Sequence, residues 1–110
     1  MFAPSLAIAI LSLAAQEAGT ITPAWSQTPM PFYPEVAMAR GINAGEAQLN
    51  CTVLPDGRLK DCRVVSETPR GAGFGAAALT SLQSARVSEA TVAQAASGVR
   101  TQFTIRFRLS

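Results

Sequence analysis

Two cysteines, Cys51 and Cys62, are the only ones in this chain of 110 residues, and they lie equally far on either side of an Asp56-Gly57 step. Such a pair could be part of a metal site, a redox pair or a structural disulfide. A metal site would need further ligands, and the sequence contains no histidine. Redox pairs typically lie two residues apart beside the start of a helix. The spacing therefore favours a disulfide.

The elements that position the two cysteines are the strands of a predicted hairpin. Apolar and polar residues alternate from Glu46 to Val53 and again after the Pro-Asp-Gly turn, with Cys62 on the inward face. A turn centred between Asp56 and Gly57 places Cys51 opposite Cys62, at a Cα separation of about 4.5–5.5 Å that a disulfide can bridge. A three-residue loop with a bulge at Gly57 would put the cysteines on opposite faces. The inward alternation argues against that loop.

The composition weakens two classes of function. Without histidine, an enzyme would depend on its seven acidic residues, and none of these forms an apparent acid and base pair. The net charge of +2 is far below what nucleic-acid backbones select. We therefore predict a binding protein that is not an enzyme, with no cofactor, no metal and no nucleic-acid partner.

The N-terminal third reads as a leader followed by a linker. Residues 1–15 are apolar but too short for a membrane span, so we expect a secretory signal peptide cleaved near Ala14 or Ala15, with a buried helix as the alternative. Residues 16–32 contain three prolines that favour extended chain, and we expect Trp25 to pack against the domain. The domain itself is predicted to comprise residues 33–110.

Two helices and one more strand complete the predicted domain. A short helix follows Pro34 and ends at Gly41, where Ile42 closes the C-cap. A second helix is predicted over residues 74–87, with an apolar face, and a loop over residues 88–98. The last strand, residues 99–109, alternates most regularly, and its arginines are expected on a solvated face.

The order of these motifs resembles the C-terminal domain of the TonB family. The resemblance covers residues 25–109 and rests on Tyr33-Pro34, a wide Gly41 to Gly45 step, Pro55-Asp56-Gly57-Arg58 and the GFGAAAL segment that opens the second helix. It implies an α+β fold in two layers, with two helices packed on a three-stranded antiparallel sheet. It also implies a periplasmic location in a Gram-negative bacterium.

The resemblance implies a function in transmembrane transport. The last strand would capture the Ton box peptide of an outer-membrane TonB-dependent transporter by strand addition, and a segment before the first helix would add contacts. Carried over, the peptide-binding edge strand is Gln102, Phe103, Thr104, Ile105, Arg106, Phe107, Arg108 and Leu109. The segment before the first helix is Met30, Pro31, Phe32, Tyr33 and Pro34.

Departures from the family pattern leave alternatives open. A force-transmitting TonB has a spanning anchor and a long charged spacer, whereas here we predict no stable membrane span and a linker of about 18 residues, which points to a non-energised accessory role. Met30 and Phe32 also replace two glutamines of the family motif. The alternative function is a structural homodimerisation module that self-associates through its edge strands.

Overall fold

The protein is described here by a computed structural model that covers residues 19–109. In chain order its elements are β1 (Thr20–Ile21), β2 (Trp25–Gln27), α1 (Glu35–Ala39), β3 (Ala44–Val53), β4 (Leu59–Thr68), α2 (Phe74–Ser81), β5 (Arg86–Val87), α3 (Glu89–Gln94) and β6 (Arg100–Arg108). A 3₁₀ turn, Leu82–Ser84, continues α2. Within these residues, no helix has the length and apolar character needed to cross a bilayer. The predicted leader lies outside the described residues.

The main sheet has four strands in the order β1-β6-β3-β4. Strand β3 pairs antiparallel with both β4 and β6, in agreement with the predicted hairpin and the predicted last strand. The prediction of three antiparallel strands was wrong in number, because β1 pairs parallel with the start of β6 through Thr20 and Ile21. A second small sheet joins β2 to β5. The α+β class is confirmed, with a mixed sheet and three helices in place of two.

Residues 20–27, which lie in the stretch expected to be a linker, are hydrogen-bonded to the domain. The Ala24 N–H donates to Thr91 Oγ1 at 2.9 Å, and the Ser88 N–H donates to the Ala24 carbonyl at 2.8 Å. The Trp25 ring lies edge-on to Phe103, with ring centroids 5.1 Å apart. The expectation that Trp25 packs against the domain is therefore confirmed.

Helix α1 ends as its sequence predicts. Gly41 takes the left-handed conformation with φ of 71°, which glycine adopts without steric cost. The Gly41 N–H donates to the Met38 carbonyl at 3.0 Å, and the Ile42 N–H donates to the Ala37 carbonyl at 2.9 Å. Because Ile42 also packs against the core, the cap fixes where the chain enters β3.

Helix α2 buries the predicted apolar face but is shorter than predicted. All four positions of the predicted apolar face are buried: Phe74 and Ala78 lie in the helix, Leu82 lies in the 3₁₀ turn, and Ala85 follows that turn. The helix ends at Ser81 because the next residues tighten into the 3₁₀ turn and then extend into β5. The expected loop over residues 88–98 contains α3, whose first turn is capped by Ser88 Oγ accepting from the Thr91 N–H at 3.2 Å.

The core lies between the helices and the inner face of the sheet. The Phe74 ring packs against Phe107 with centroids 5.1 Å apart, and α2 covers β3 and β4. Gly45 of β3 lies beneath the same ring, where a Cβ atom would collide with the Phe74 side chain. The glycine at this position therefore allows the helix to approach the sheet.

The hairpin reaches the predicted cysteine pairing by a different turn. The loop is the three-residue type that the alternation argued against, with Gly57 at φ of 89° and the Leu54 N–H donating to the Arg58 carbonyl at 2.8 Å. This turn pairs Thr52 with Lys60. A bulge then shifts the register at Asp61, which has φ of 51°, so that Leu49 faces Val64 as predicted.

The shifted register brings the two cysteines together. Cys51 and Cys62 form a disulfide, with their Cα atoms 4.1 Å apart. The side chain of Cys51 is fully buried, and Cys62 packs on the same core. The bridge therefore ties the second strand of the hairpin to the central strand beneath the helix layer.

The Arg100 guanidinium connects three strands across the open face of the sheet. It donates to Asn50 Oδ1, to Thr52 Oγ1 at 2.7 Å and to the Asp61 carbonyl at 2.6 Å. The last of these bonds holds the bulged residue itself. Arg100 therefore stabilises the register that aligns the cysteines.

At the tip of the hairpin, Asp56 and Arg58 form a local ion pair. The Arg58 main-chain N–H donates to Asp56 Oδ1 at 3.0 Å, and its Nε donates to Oδ2 at 2.7 Å. The main-chain hydrogen bond is the larger cause that lowers the pKa of Asp56. Since the pair is exposed to solvent, its role is to stabilise the turn locally.

Candidate functional site

The outer edge of β6 is open over most of its length. Strand β1 pairs only with Arg100 and Thr101, and within residues 19–109 no strand pairs with the outer side of residues 102–108. On its other side β6 pairs with β3 without a register shift from Arg108 to Thr101. The fold therefore presents about seven residues of regular backbone to a partner strand.

The hydrogen-bond pattern shows which backbone groups face that open edge. The Leu109 N–H donates to the Asn43 carbonyl at 2.9 Å, so odd-numbered residues bond to β3 in this ladder. Even-numbered residues therefore direct their N–H and C=O groups outward. These residues are Gln102, Thr104, Arg106 and Arg108.

The two faces of β6 differ in chemistry. Phe103, Ile105 and Phe107 are buried on the inner face. On the opposite, open face, Arg106 and Arg108 are exposed, while Gln102 and Thr104 are partly exposed. The predicted alternation of β6 is thus confirmed, and the arginines lie on the solvated face as expected.

Arg106 and Arg108 border a shallow cleft on the open face at the end of the sheet. The cleft has a volume of about 530 Å³ and is floored by small residues such as Ala44. Glu46 lies 3.8 Å from Arg106, and both side chains are largely exposed. Among the described residues, no carboxylate lies within salt-bridge distance of Arg108. The cleft therefore keeps a net positive charge.

The segment Met30–Pro34 runs over the helix side of the molecule before α1. Tyr33 anchors it: its hydroxyl donates to the Ile42 carbonyl at 2.6 Å, and its ring lies edge-on to Phe107 at 6.2 Å. By contrast, Met30 is 80% exposed and Phe32 is 89% exposed. The segment is therefore fixed at one end while presenting two large apolar side chains to solvent.

A groove separates this segment from α2. It has a volume of about 310 Å³ and lies between residues 30–34 and the outer face of α2, including Ala77 and Thr80. The Thr80 hydroxyl donates to the Ala76 carbonyl at 3.1 Å, and the Ser81 hydroxyl donates to the Ala78 carbonyl at 2.6 Å. Because these donors already have partners within the helix, the groove presents a mainly apolar surface.

The titratable side chains of residues 19–109 show no arrangement for metal binding. No cluster of three or more histidine, cysteine, aspartate or glutamate side chains occurs in this part of the chain. Its buried side-chain nitrogen and oxygen atoms all have hydrogen-bond partners.

Comparison with known proteins identifies the family. A family model described as the C-terminal part of the Gram-negative bacterial TonB protein matches residues 29–109. The chain belongs to the TonB C-terminal family. Members of this family are binding and energy-transduction modules, not enzymes, and act in the periplasm of Gram-negative bacteria.

A solved TonB structure has the same fold. The solution NMR structure of the Pseudomonas aeruginosa TonB C-terminal domain superimposes with a TM-score of 0.59 and 23% identity, covering 78% of this chain and 85% of that chain. At this identity the similarity shows the fold. No curated protein matches the chain.

The structure brings the two predicted contact regions of this TonB-family chain close together. Strand β6 and the segment Met30–Pro34 meet where Tyr33 packs on Phe107, and Leu109 directly follows β6. The disulfide lies towards the opposite end of β6, because Cys51 pairs with Thr101. Sequence reasoning missed β1, whose two residues carry no pattern of their own.

Proposed function

We propose that this protein is a periplasmic peptide-binding module of TonB C-terminal type that captures extended segments of outer-membrane TonB-dependent transporters by strand addition. The partner segment is a Ton-box-like peptide that pairs antiparallel with residues 102–109. The observation that carries the proposal is the open outer edge of β6, with regular outward backbone groups at four even-numbered positions. Membership of the TonB family supports the class of partner.

Met30, Pro31, Phe32, Tyr33 and Pro34 form a second contact in this proposal. Their placement beside β6 supports this role, because Tyr33 packs on Phe107 and so links the segment to the edge strand. The exposed Phe32 ring and the exposed Met30 thioether favour apolar partner groups, whereas glutamines at these positions would select polar groups. The protein reaches the periplasm through the signal peptide proposed for residues 1–15.

Self-association through β6 is a second candidate. The same open edge that would accept a transporter peptide could pair with the edge of another copy. A register centred on Phe107 would place Arg106 of each copy opposite Arg108 of the other, so like charges disfavour that register. Concentration-dependent mass measured by sedimentation distinguishes a dimer from a monomer.

An NMR titration tests the peptide-binding proposal. A synthetic Ton box peptide is added to the ¹⁵N-labelled protein, and amide shifts are followed. Strand addition predicts the largest shifts at residues 102–109, with smaller shifts at residues 30–34. Shifts confined to the Asp56-Gly57 turn or to α1, with β6 unaffected, would overturn the proposal.

A further inference from the structure

We infer that the strand captured by β6 alternates acidic and apolar residues, with its acidic side chains on the open face and its apolar side chains on the helix side. This inference rests on the proposed strand addition and specifies which peptides it selects. It follows from the different surfaces that border the two faces of one edge.

The open face of the edge selects negative charge. A strand that pairs with residues 102–108 places every second side chain on the same face as Arg106 and Arg108. Those guanidinium groups border the cleft of about 530 Å³ at the end of the sheet. Since Glu46 approaches only Arg106, at 3.8 Å, an incoming carboxylate meets net positive charge.

The helix side of the same edge selects apolar groups. Helix α2 lies mainly over β3 and β4, and on β6 its Phe74 ring packs against Phe107. Two further rings cover the inner face of β6: Trp25 of β2 packs on Phe103, and Tyr33 before α1 packs on Phe107, on either side of Ile105. Both rings are only partly buried. The intervening side chains of a captured strand would therefore lie against an aromatic margin.

The basic row (Arg106 and Arg108) and the aromatic row (Trp25 and Tyr33) lie on opposite faces of the same edge, as the alternation of side chains along a strand requires. Side chains of a strand alternate between faces, so one captured peptide meets the basic row and the aromatic row at alternate positions. A peptide of three glutamates followed by three valines would place at least one of its carboxylates on the aromatic side and at least one of its valines on the basic side. Selection therefore depends on residue order as well as on composition.

Three capped peptides of equal length provide the test. The first contains three Glu-Val repeats, the second contains three glutamates followed by three valines, and the third contains three Glu-Thr repeats. Each is titrated into the full chain, and binding is followed by the amide shifts of residues 102–109. Thr has nearly the shape of Val but carries a hydroxyl in place of one methyl group. The third peptide therefore tests whether the aromatic row selects apolar side chains, without any change to the protein.

The alternating Glu-Val peptide is expected to bind about three- to tenfold more tightly than either of the others. Equal affinity of the first two peptides, with β6 shifts for both, would overturn the alternating preference and leave strand addition standing. Equal affinity of the first and third peptides would show that the aromatic row does not select apolar side chains. If no peptide shifts residues 102–109, the preference is wrong, and the titration with the Ton box peptide decides separately whether strand addition stands.

A pair of double variants tests the basic row. Arg106→Gln with Arg108→Gln should weaken binding of the Glu-Val peptide about three- to tenfold and remove most of its salt dependence between about 0.1 M and about 1 M salt. Arg63→Gln with Arg70→Gln removes the same charge from exposed positions on and after β4. An equal loss in both pairs would attribute the effect to net charge and overturn the assignment of Arg106 and Arg108.

Discussion

The Arg100 guanidinium donates to the main-chain oxygen of Asp61, 39 residues away in sequence, at 2.6 Å. This bond joins the start of β6 to the bulge of β4 across the intervening strand β3. Because the bulge sets the pairing of Arg63 with Asn50 and of Val64 with Leu49, a side chain outside the hairpin stabilises the register within it.

Replacing Arg100 with glutamine should lower the free energy of unfolding by about 1–3 kcal/mol, because charge-assisted hydrogen bonds to Asn50, Thr52 and Asp61 are lost together. Urea unfolding followed by circular dichroism measures the change. Arg63→Gln is the matched control, since Arg63 is an exposed arginine on the same face. Equal stability of the Arg100 variant and the native protein would contradict a role in holding the bulge.

Proline at Thr104 should abolish peptide binding while the protein stays folded. The Thr104 N–H points to the open edge, so proline removes a donor that only a partner would use. Proline at Ile105 should instead unfold the protein, because that N–H faces β3. Thr104→Val retains the donor and should bind normally. Normal peptide binding by the Thr104→Pro variant would contradict the edge as the binding site.

Alanine at Gly45 should destabilise the protein by about 1–3 kcal/mol, since the added Cβ collides with the Phe74 ring. Phe74→Leu in the same chain should recover part of the loss when the two changes are compared in a double-mutant cycle. Gly41→Ala is a useful contrast, because its Cβ meets no atom and only the positive φ is strained. Additive effects of the Gly45 and Phe74 changes would show that the two residues do not interact in this way.

Reduction of the disulfide should cost about 2–3 kcal/mol of stability, because the bridge closes a loop with a sequence separation of 11 residues. Unfolding with and without a phosphine reductant measures this difference. The double variant Cys51→Ala with Cys62→Ala should be insensitive to the reductant. Two reactive thiols in the denatured, non-reduced protein would show that the bridge does not form.

Features with a strong local signal were predictable from the sequence. Gly41 and Ile42 specify the end of α1 because the cap depends on residues adjacent in the chain, and the alternation of β6 specifies its buried face. The cysteine pairing was also predicted, although through the wrong turn. Two compensating irregularities, at Gly57 and Asp61, return residues 62–64 to the register that a regular hairpin would have, before a further shift between Gln48 and Leu49.

Features that depend on distant partners were not predictable. Strand β1 has two residues, and it is a strand only because the start of β6 offers backbone partners. Helix α3 has a local signal, the Ser88 cap followed by Glu89, but its small polar residues are also typical of a loop. The resemblance predicts the open edge itself, whereas the basic cleft and the aromatic margin beside it depend on how distant segments pack together.

The docking of residues 20–27 has a practical consequence for recombinant fragments. A fragment that starts at Pro29, where the family match begins, would lack β1, β2 and Trp25. The outer edge of β6 would then be unprotected from Arg100 onward, and Phe103 would lose its aromatic neighbour. Such a shortened product would be prone to aggregation and insolubility, since a long bare edge beside exposed aromatic surface favours intermolecular β-pairing.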